Sequence, residues 1–335
     1  MATAAAANPQ TTELEALLAS WREEQHRVSS QVAILDDPPT TGANVMFGAQ
    51  YKIVSNDGND GRLYGGVDVS FPENEGDPSV AVYVVVSDGE IVYEASETFQ
   101  LKVPYISSYL SFREIEPLER LVKKQMKERP EFTPRAILVD GNGIMHERKA
   151  GIACFLGVRT GLRTIGVGKT LYCQDGLSTK LVSSGVIERV QEFQQLCEKG
   201  ILSSRELAKL KSERGLVFDQ RSIDAKNSAE AKTDKKDMKG FIRDLFPFCS
   251  GFAMKLRGMD GTIWGAALVA HGGKITSSKR EKSGTKNPIF VSIGHGISLE
   301  EAVQVCAELA LARIPEPIRM ADLKGRELMR KAAMS

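Results

Sequence analysis

What this chain lacks narrows its chemistry before any motif is read. Its five cysteines, Cys154, Cys173, Cys197, Cys249 and Cys306, are scattered through 335 residues with no CxxC pair and no zinc spacing. That scatter speaks against a disulfide framework or a thiolate metal site, and reduced, buried thiols are expected. Paired histidines are missing too, since His26, His146, His271 and His295 stand far apart. Neither sign of charge is in real excess, with 44 Lys and Arg against 43 Asp and Glu. Any nucleic-acid surface must therefore be a local basic patch and not a global field. No apolar run is long enough to cross a bilayer, and no membrane association is expected. The first residues, Met1 to Pro9, carry no basic region ahead of their alanines. A secretory signal is not expected, and cytoplasm or nucleus is the expected location. There is no internal repeat.

What is present reads as α/β. Residues 1–11 are expected to be a disordered lead, and 12–335 one catalytic domain interrupted by an insertion at about 178–244. From Glu13 to about Leu35, the residues Leu14, Leu17, Leu18, Trp21, Val28, Val32 and Leu35 recur at helical spacing, with Thr12 placed to cap. Three strands follow, 64–71, 80–86 and 91–99, the last two joined by a turn at Ser87-Asp88-Gly89-Glu90. A helix from Leu110 to Arg129 leads into a buried strand, Ala136 to Val139, then a small-residue helix over 151–158 and a strand over 164–167. Within 178–244, helical pieces over 186–198 and 203–211 precede a charged run, 227–237, nearly free of large apolar residues and expected to be flexible or surface-lying. Strands over 252–256, 262–269 and 288–293 resume the sheet. A helix capped by Ser298 with Glu301 three residues on runs to Leu311, and a short polar helix containing Asp322 closes the chain. The order βββαβαβ specifies a mixed sheet flanked by helices.

The chemistry gathers on acids. Asp140 ends an apolar strand and runs into Gly141-Asn142-Gly143, and Asp68 sits among apolar neighbours on the first strand. No Lys or Arg lies within either strand, and an unpaired buried carboxylate is costly. Glu114 falls beside Leu110 and Leu118 at helical spacing, on or next to the inner stripe. Such an acid is either salt-bridged in the core or a metal ligand with Asp68 and Asp140. Three oxygen donors suit Mg²⁺, with Mn²⁺ able to substitute, and not zinc.

Six motifs in order carry a family resemblance. They are Gly65-Gly66-Val67-Asp68, the run from Pro104-Tyr105-Ile106 to Arg113-Glu114, and Asp140-Gly141-Asn142-Gly143 with His146 following. Ile165-Gly166-Val167-Gly168-Lys169, Ser292-Ile293-Gly294-His295 and Ile314-Pro315-Glu316-Pro317 complete the set. Together they resemble endonuclease V, over about residues 14 to 330. The resemblance implies a ribonuclease H-like fold and Mg²⁺-dependent cleavage beside inosine at the second phosphodiester on its 3′ side, leaving 3′-hydroxyl and 5′-phosphate ends. Asp68, Glu114 and Asp140 would hold the metal. Asp322 matches a position that is histidine in many bacterial members and aspartate in animal ones. Lys169 would meet the scissile phosphate, and His146 would lie near metal and phosphate.

Pro104, Tyr105 and Ile106 would form a wedge beside the extruded base, with Ser107 departing from the bacterial proline. Gly141, Asn142, Gly143, Leu110, Gly151 and Ile152 would frame the base. His295 is a substrate group or a turn residue. Arg113 and Arg148 bind phosphate or pair with local acids. His26 reads as surface, His271 as a loop residue, Trp264 as core and Asp260 as a hairpin residue. Ser107, Asp322 and the insertion are eukaryote-like, favouring inosine in single-stranded RNA over deoxyinosine in DNA, with the chain acting as a monomer. The rival readings are a silent RNA-binding module, which three costly acids oppose, and a kinase-type ATPase, for which there is no second glycine loop or duplicated half.

Overall fold

A computed structural model describes residues 9–36, 63–72, 74, 76–186, 217–218, 251–270 and 287–334. Helix α1 (Pro9–Gln31) is followed by β1 (Tyr64–Ser70), β2 (Ser79–Ser87) and β3 (Glu90–Phe99), then α2 (Ser111–Glu128) and β4 (Ala136–Asp140). Next come α3 (Ile152–Thr160), β5 (Thr164–Gly168), β6 (Val217–Phe218), β7 (Gly251–Arg257), β8 (Ile263–Ala270) and β9 (Ile289–His295). The last helices are α4 (Leu299–Leu309) and α5 (Glu316–Met334). One sheet orders its strands β3-β2-β1-β4-β5-β9-β8-β7-β6. Strand β1 runs antiparallel to β2 and parallel to β4, β4 is parallel to β5, and β9 is antiparallel to β5. This is the expected ribonuclease H-like mixed sheet.

Strand β2 explains the layering. Its Val-rich run is buried along almost its whole length because both faces are covered. Ala81, Tyr83 and Val85 join Ile115, Leu118, Leu121 and Val122 of α2 in the main core. Val80, Val82, Val84 and Val86 pack instead with Ala321, Met320, Leu328 and Met329 of α5. At the sheet edge, β3 alternates exposed and half-buried positions and carries Glu90, Glu94 and Glu97, which discourages pairing with another chain.

Several sequence expectations are corrected. Helix α1 begins at Pro9, so part of the expected lead is helical, and Pro suits a first helical position. Its inner stripe is Trp21, Gln25 and Val28, whereas Leu14, Leu17 and Leu35 are exposed. Apolar spacing marked Trp21 and Val28 correctly but extended the stripe too far at both ends and passed over Gln25, a polar residue that is fully buried. The closing helix α5 is neither short nor wholly polar, since it runs 19 residues and buries Ile318 and Ala321. The first part of the expected insertion is core: Val182 and Val186 pack with Leu171, Leu177, Met254 and Trp264. Of the rest of 178–244, only Val217–Phe218 lies within the described residues, as a short strand beside β7.

One close approach fixes where α5 lies. A Cβ on Gly66 would overlap the backbone of Pro317, in the first turn of α5. Only glycine lets that turn rest on the sheet. Gly66→Ala is expected to destabilise the fold by about 1–3 kcal/mol and to move Asp322 away from β1. Urea unfolding reads the first effect and turnover the second, and an unchanged midpoint would contradict this packing.

Candidate active site: an acid cluster at the strand ends

Register brings the acids together. Parallel pairing sets Val67 beside Val139, so Asp68 and Asp140 follow side by side at the carboxyl ends of β1 and β4. Asp140 lies level with Val167 of β5, and Lys169 comes just past that strand's end. Asp68 pairs across β2 with Val82, on the face that α5 covers, and α5 supplies Asp322. Glu114 stands in the first turn of α2, on the other face. Four carboxylates and one ammonium thus converge from five elements.

The electrostatics record the crowding. Burial, then a hydrogen bond and charge from Asp140, with Asp322 adding to it, push the Asp68 carboxyl up to about 8, although Lys169 opposes the shift. Burial and the Asp140 charge push Glu114 up to about 7, against the pull of Arg113. Like charges held close in a dry place favour keeping a proton. Lys169 ion-pairs with Asp140. Burial works against its ammonium, but Asp140, Asp68 and Asp322 outweigh it and raise the lysine's pKa. Asp322 also accepts from Arg326 one turn on, at 2.9 Å.

Among the described residues, no three His, Cys, Asp or Glu side chains stand as a ready coordination shell. Asp140, Asp68 and Asp322 are arranged about Lys169 instead, with Glu114 against Asp140, and Asp68, Glu114 and Asp140 are the groups whose oxygens could hold a hard cation. Lys169 is itself held from behind by Arg313, which sequence reading missed. The Arg313 guanidinium donates to the carbonyls of Lys169 (2.5 Å), Pro288 (3.0 Å) and Asn287 (3.2 Å). An arginine satisfied by three backbone carbonyls from two distant segments leaves no pattern in a sequence.

The expected substrate residues separate into three groups. Tyr105, at 69% exposure, and Leu110 present large apolar surface beside the acids, with Pro104 exposed and Ile106 half-buried next to them. The Arg113 guanidinium links this loop to the site, lying 5.3 Å from the Phe71 ring and 5.8 Å from that of Tyr105. In the glycine turn, Gly141 and Asn142 keep some accessible surface next to Ile152. Gly143 and Gly151 do not serve as open donors. Gly143 is buried against the Ile293 carbonyl, its N–H donates to Ser292 Oγ at 2.8 Å, and its own carbonyl takes the Gly151 N–H at 3.0 Å. Both glycines are there because the turn crosses the sheet too closely for a side chain.

The two histidines are corrections. His146 is buried, its Nε2 meets the Ser108 carbonyl at 3.0 Å, and its Nδ1 accepts the Arg148 N–H at 3.3 Å. The accepting Nδ1 puts the ring proton on Nε2. Burial pushes this imidazole down to about 4, so it is neutral at pH 7 and braces the loop at Ser108. His295 pairs with Thr164, at the start of β5 and so the far end from Lys169, roughly 16 Å away along the chain direction. Its Nδ1 accepts the Ala33 N–H at 3.2 Å, fastening the chain after α1. Of the other residues read as bland, Trp264 is buried, His26 is exposed and Asp260 sits in a turn, while His271 lies outside the described residues.

Known proteins resemble the chain over most of its length. The family model for Endonuclease V matches residues 48–214 and 259–323. Endonuclease V of Mus musculus is 32% identical over 319 residues, covering 95% of this chain and 71% of that protein. The Homo sapiens protein is 31% identical over 320 residues, covering 95% and 85%. The crystal structure of the catalytic domain of human Endonuclease V superposes with a TM-score of 0.62 at 28% identity, covering 95% of this chain and 98% of that one. That of the Ciona intestinalis enzyme, bound to a 24mer DNA containing an inosine followed by a ribo-adenosine, gives 0.61 at 25% identity, covering 94% and 99%. The chain belongs to the Endonuclease V family of nucleases.

Proposed function

We propose that this protein hydrolyses the second phosphodiester 3′ to inosine in single-stranded RNA, leaving 3′-hydroxyl and 5′-phosphate ends, with Mg²⁺ as its cofactor. The observation that carries the proposal is the convergence of Asp68, Asp140, Glu114, Asp322 and Lys169 at one rim of the sheet, next to an exposed Tyr105. Membership of a nuclease family supports the reaction type. Support for RNA comes from Ser107 and Asp322. The Ciona intestinalis complex, with a ribose placed directly after inosine, adds to it.

The residues fit a hard divalent cation. Asp68 and Glu114 are both pushed towards the protonated form by burial and by Asp140, which is the mark of acids short of positive charge. All three offer oxygen, as Mg²⁺ and Mn²⁺ prefer. When bound, the ion supplies charge to the phosphate and lowers the pKa of water. Lys169, anchored by Arg313, is placed to share its ammonium between Asp140 and a phosphate oxygen. Asp322, oriented by Arg326, stands across from it as the acid next to Asp68. Tyr105 has a free face on which a base can stack, worth about 1–3 kcal/mol. Leu110, Gly141, Asn142 and Ile152 then border a flipped base. Hypoxanthine shares its O6 acceptor and N1–H donor with guanine, so a selective pocket must crowd out the guanine 2-amino group.

Three outcomes test this reading. Asp68→Asn is expected to abolish cleavage while raising the melting temperature of the metal-free protein by a few degrees above pH 8, where it removes a buried charge. A variant that cuts at wild-type rate in Mg²⁺ would remove the acid from the mechanism.

Stability should also depend on pH in a defined direction. Asp68 and Glu114 titrate at about 8 and about 7 in the folded chain, above ordinary values of 3.8 and 4.5. The folded form therefore binds more protons than the unfolded chain between those limits, and stability falls as pH rises through the window. Chelated protein should melt lower at pH 8 than at pH 5, and added Mg²⁺ should restore more of the loss at pH 8. Melting curves indifferent to Mg²⁺ at pH 8 would leave the acids without a cation to hold.

Matched strands carrying one inosine, as ribose or deoxyribose, decide the polymer. Faster single-turnover cleavage of the ribose strand is expected, and a preference for deoxyribose would assign the activity to DNA.

A further inference from the structure

Behind the Tyr105 loop, four side chains from three segments close on one residue. The Ser108 carbonyl accepts from Gln25 Nε2 at 2.7 Å, lies 3.0 Å from His146 Nε2, and accepts from Arg148 Nη2 at 3.3 Å. The Ser108 hydroxyl meets the Tyr172 hydroxyl at 2.7 Å. Ser108 itself has φ +68°, a left-handed conformation that a serine adopts at some cost. Gln25 is fully buried and spends both ends of its amide here, since its Oε1 also accepts from Arg148 Nε. The Arg148 guanidinium in turn covers the Tyr109 ring at 4.6 Å. One turn before Gln25 on the same face of α1, Trp21 stacks on Phe112 at 4.8 Å and leans on Tyr109 at 5.7 Å.

A buried amide that satisfies a loop carbonyl 83 residues away and the arginine sharing it is more than packing. Apolar contact would serve the helix equally well and would not require a buried polar group. We propose that Gln25 is a positioning residue for base recognition. Through the Ser108 carbonyl it holds the Pro104-Tyr105-Ile106 segment in the place where it meets the substrate. The proposal rests on the reading above, that this segment touches the extruded base. Gln25 touches no substrate and acts only through Ser108 and Arg148. Helix α1, which contributes no acid to the site, thereby enters the reaction as the brace of its selectivity.

The test compares wild type, Gln25→Met, Tyr105→Ala and the double variant, using strands with a single inosine or a single adenosine at one position. Gln25→Met should reduce inosine-over-adenosine selectivity about tenfold or more, the effect of losing both buried hydrogen bonds of its amide. It should also speed amide exchange over residues 104–110 of the substrate-free protein about tenfold, with α1 still protected. In the Tyr105→Ala background it should change selectivity no further. Gln25→Glu keeps the acceptor for Arg148, removes the donor to Ser108 and sets a carboxylate oxygen against that carbonyl. It should shift both readouts in the same direction, and it serves if Gln25→Met fails to fold. Equal loss of activity on both strands, with exchange over 104–110 unchanged, would overturn the proposal and leave Gln25 an ordinary core residue. If Tyr105→Ala proves fully selective, the base-contact reading fails on its own, and the exchange measurement still decides whether Gln25 holds the loop.

Discussion

The rest of the site follows from one unfavourable arrangement, two carboxylates at adjacent ends of parallel strands. The β1–β4 register sets Asp68 beside Asp140, and shifting either strand by one residue would turn each of its side chains to the sheet's opposite face, against different packing partners. Burial then removes the water that would screen them. Lys169 answers part of the charge, and Arg313 keeps it in place by fixing its backbone. Glu114 and Asp322, arriving from opposite faces, add negative charge to a place already short of cations. A structure needing only stability would not gather acids this way, since well-packed apolar residues serve at least as well. The ladder of β1 and β4 carries the cost so that the rim can attract a cation and a phosphate.

Recognition hangs on the same rim by a short connection. Arg113 precedes Glu114 and lies between Phe71, just past the end of β1, and Tyr105, on the exposed loop. A displacement of Tyr105 is therefore felt next to an acid of the cluster. On its other side the loop is tied by the Ser108 carbonyl to α1 and to the segment after the glycine turn. His146 belongs to this second attachment. Its neutral ring, with the proton on Nε2, suits a permanent donor to a carbonyl and not a group that exchanges protons with substrate.

Much of this was legible in the letters, and the missing parts share a cause. Strand-ending acids followed by glycine turns marked Asp140, and an acid within an apolar run marked Asp68, because buried charge is rare enough to be informative. Glu114 followed from helical phase beside Leu110 and Leu118. Asp322 and Lys169 were reached through family resemblance, since neither stands out from its neighbours locally. Gln25, Arg313 and the true position of His295 were not legible. Each acts by at least one hydrogen bond spanning from 83 to 262 residues, and such bonds leave no periodicity. Apolar spacing found Trp21 and Val28 on α1 but could not mark the buried glutamine between them. Gly143 and Gly151 looked like backbone donors for a base, yet their freedom serves a crossing of chain segments.

The two attachments differ in strength, and that difference separates rate from selectivity. Asp68, Asp140 and Lys169 are placed by strand ladders buried on both faces, in which many hydrogen bonds and apolar contacts act together. Tyr105 is placed by Arg113 on one side and by a handful of side-chain hydrogen bonds on the other, each contributing about 1 kcal/mol. Disturbing the first requires unfolding part of the sheet, whereas disturbing the second requires only the loss of one partner of the Ser108 carbonyl. Chemistry at the strand ends is thus the robust property of this fold. On the proposed function, discrimination among bases is the adjustable one, set through residues such as Gln25 that stand apart from the acids.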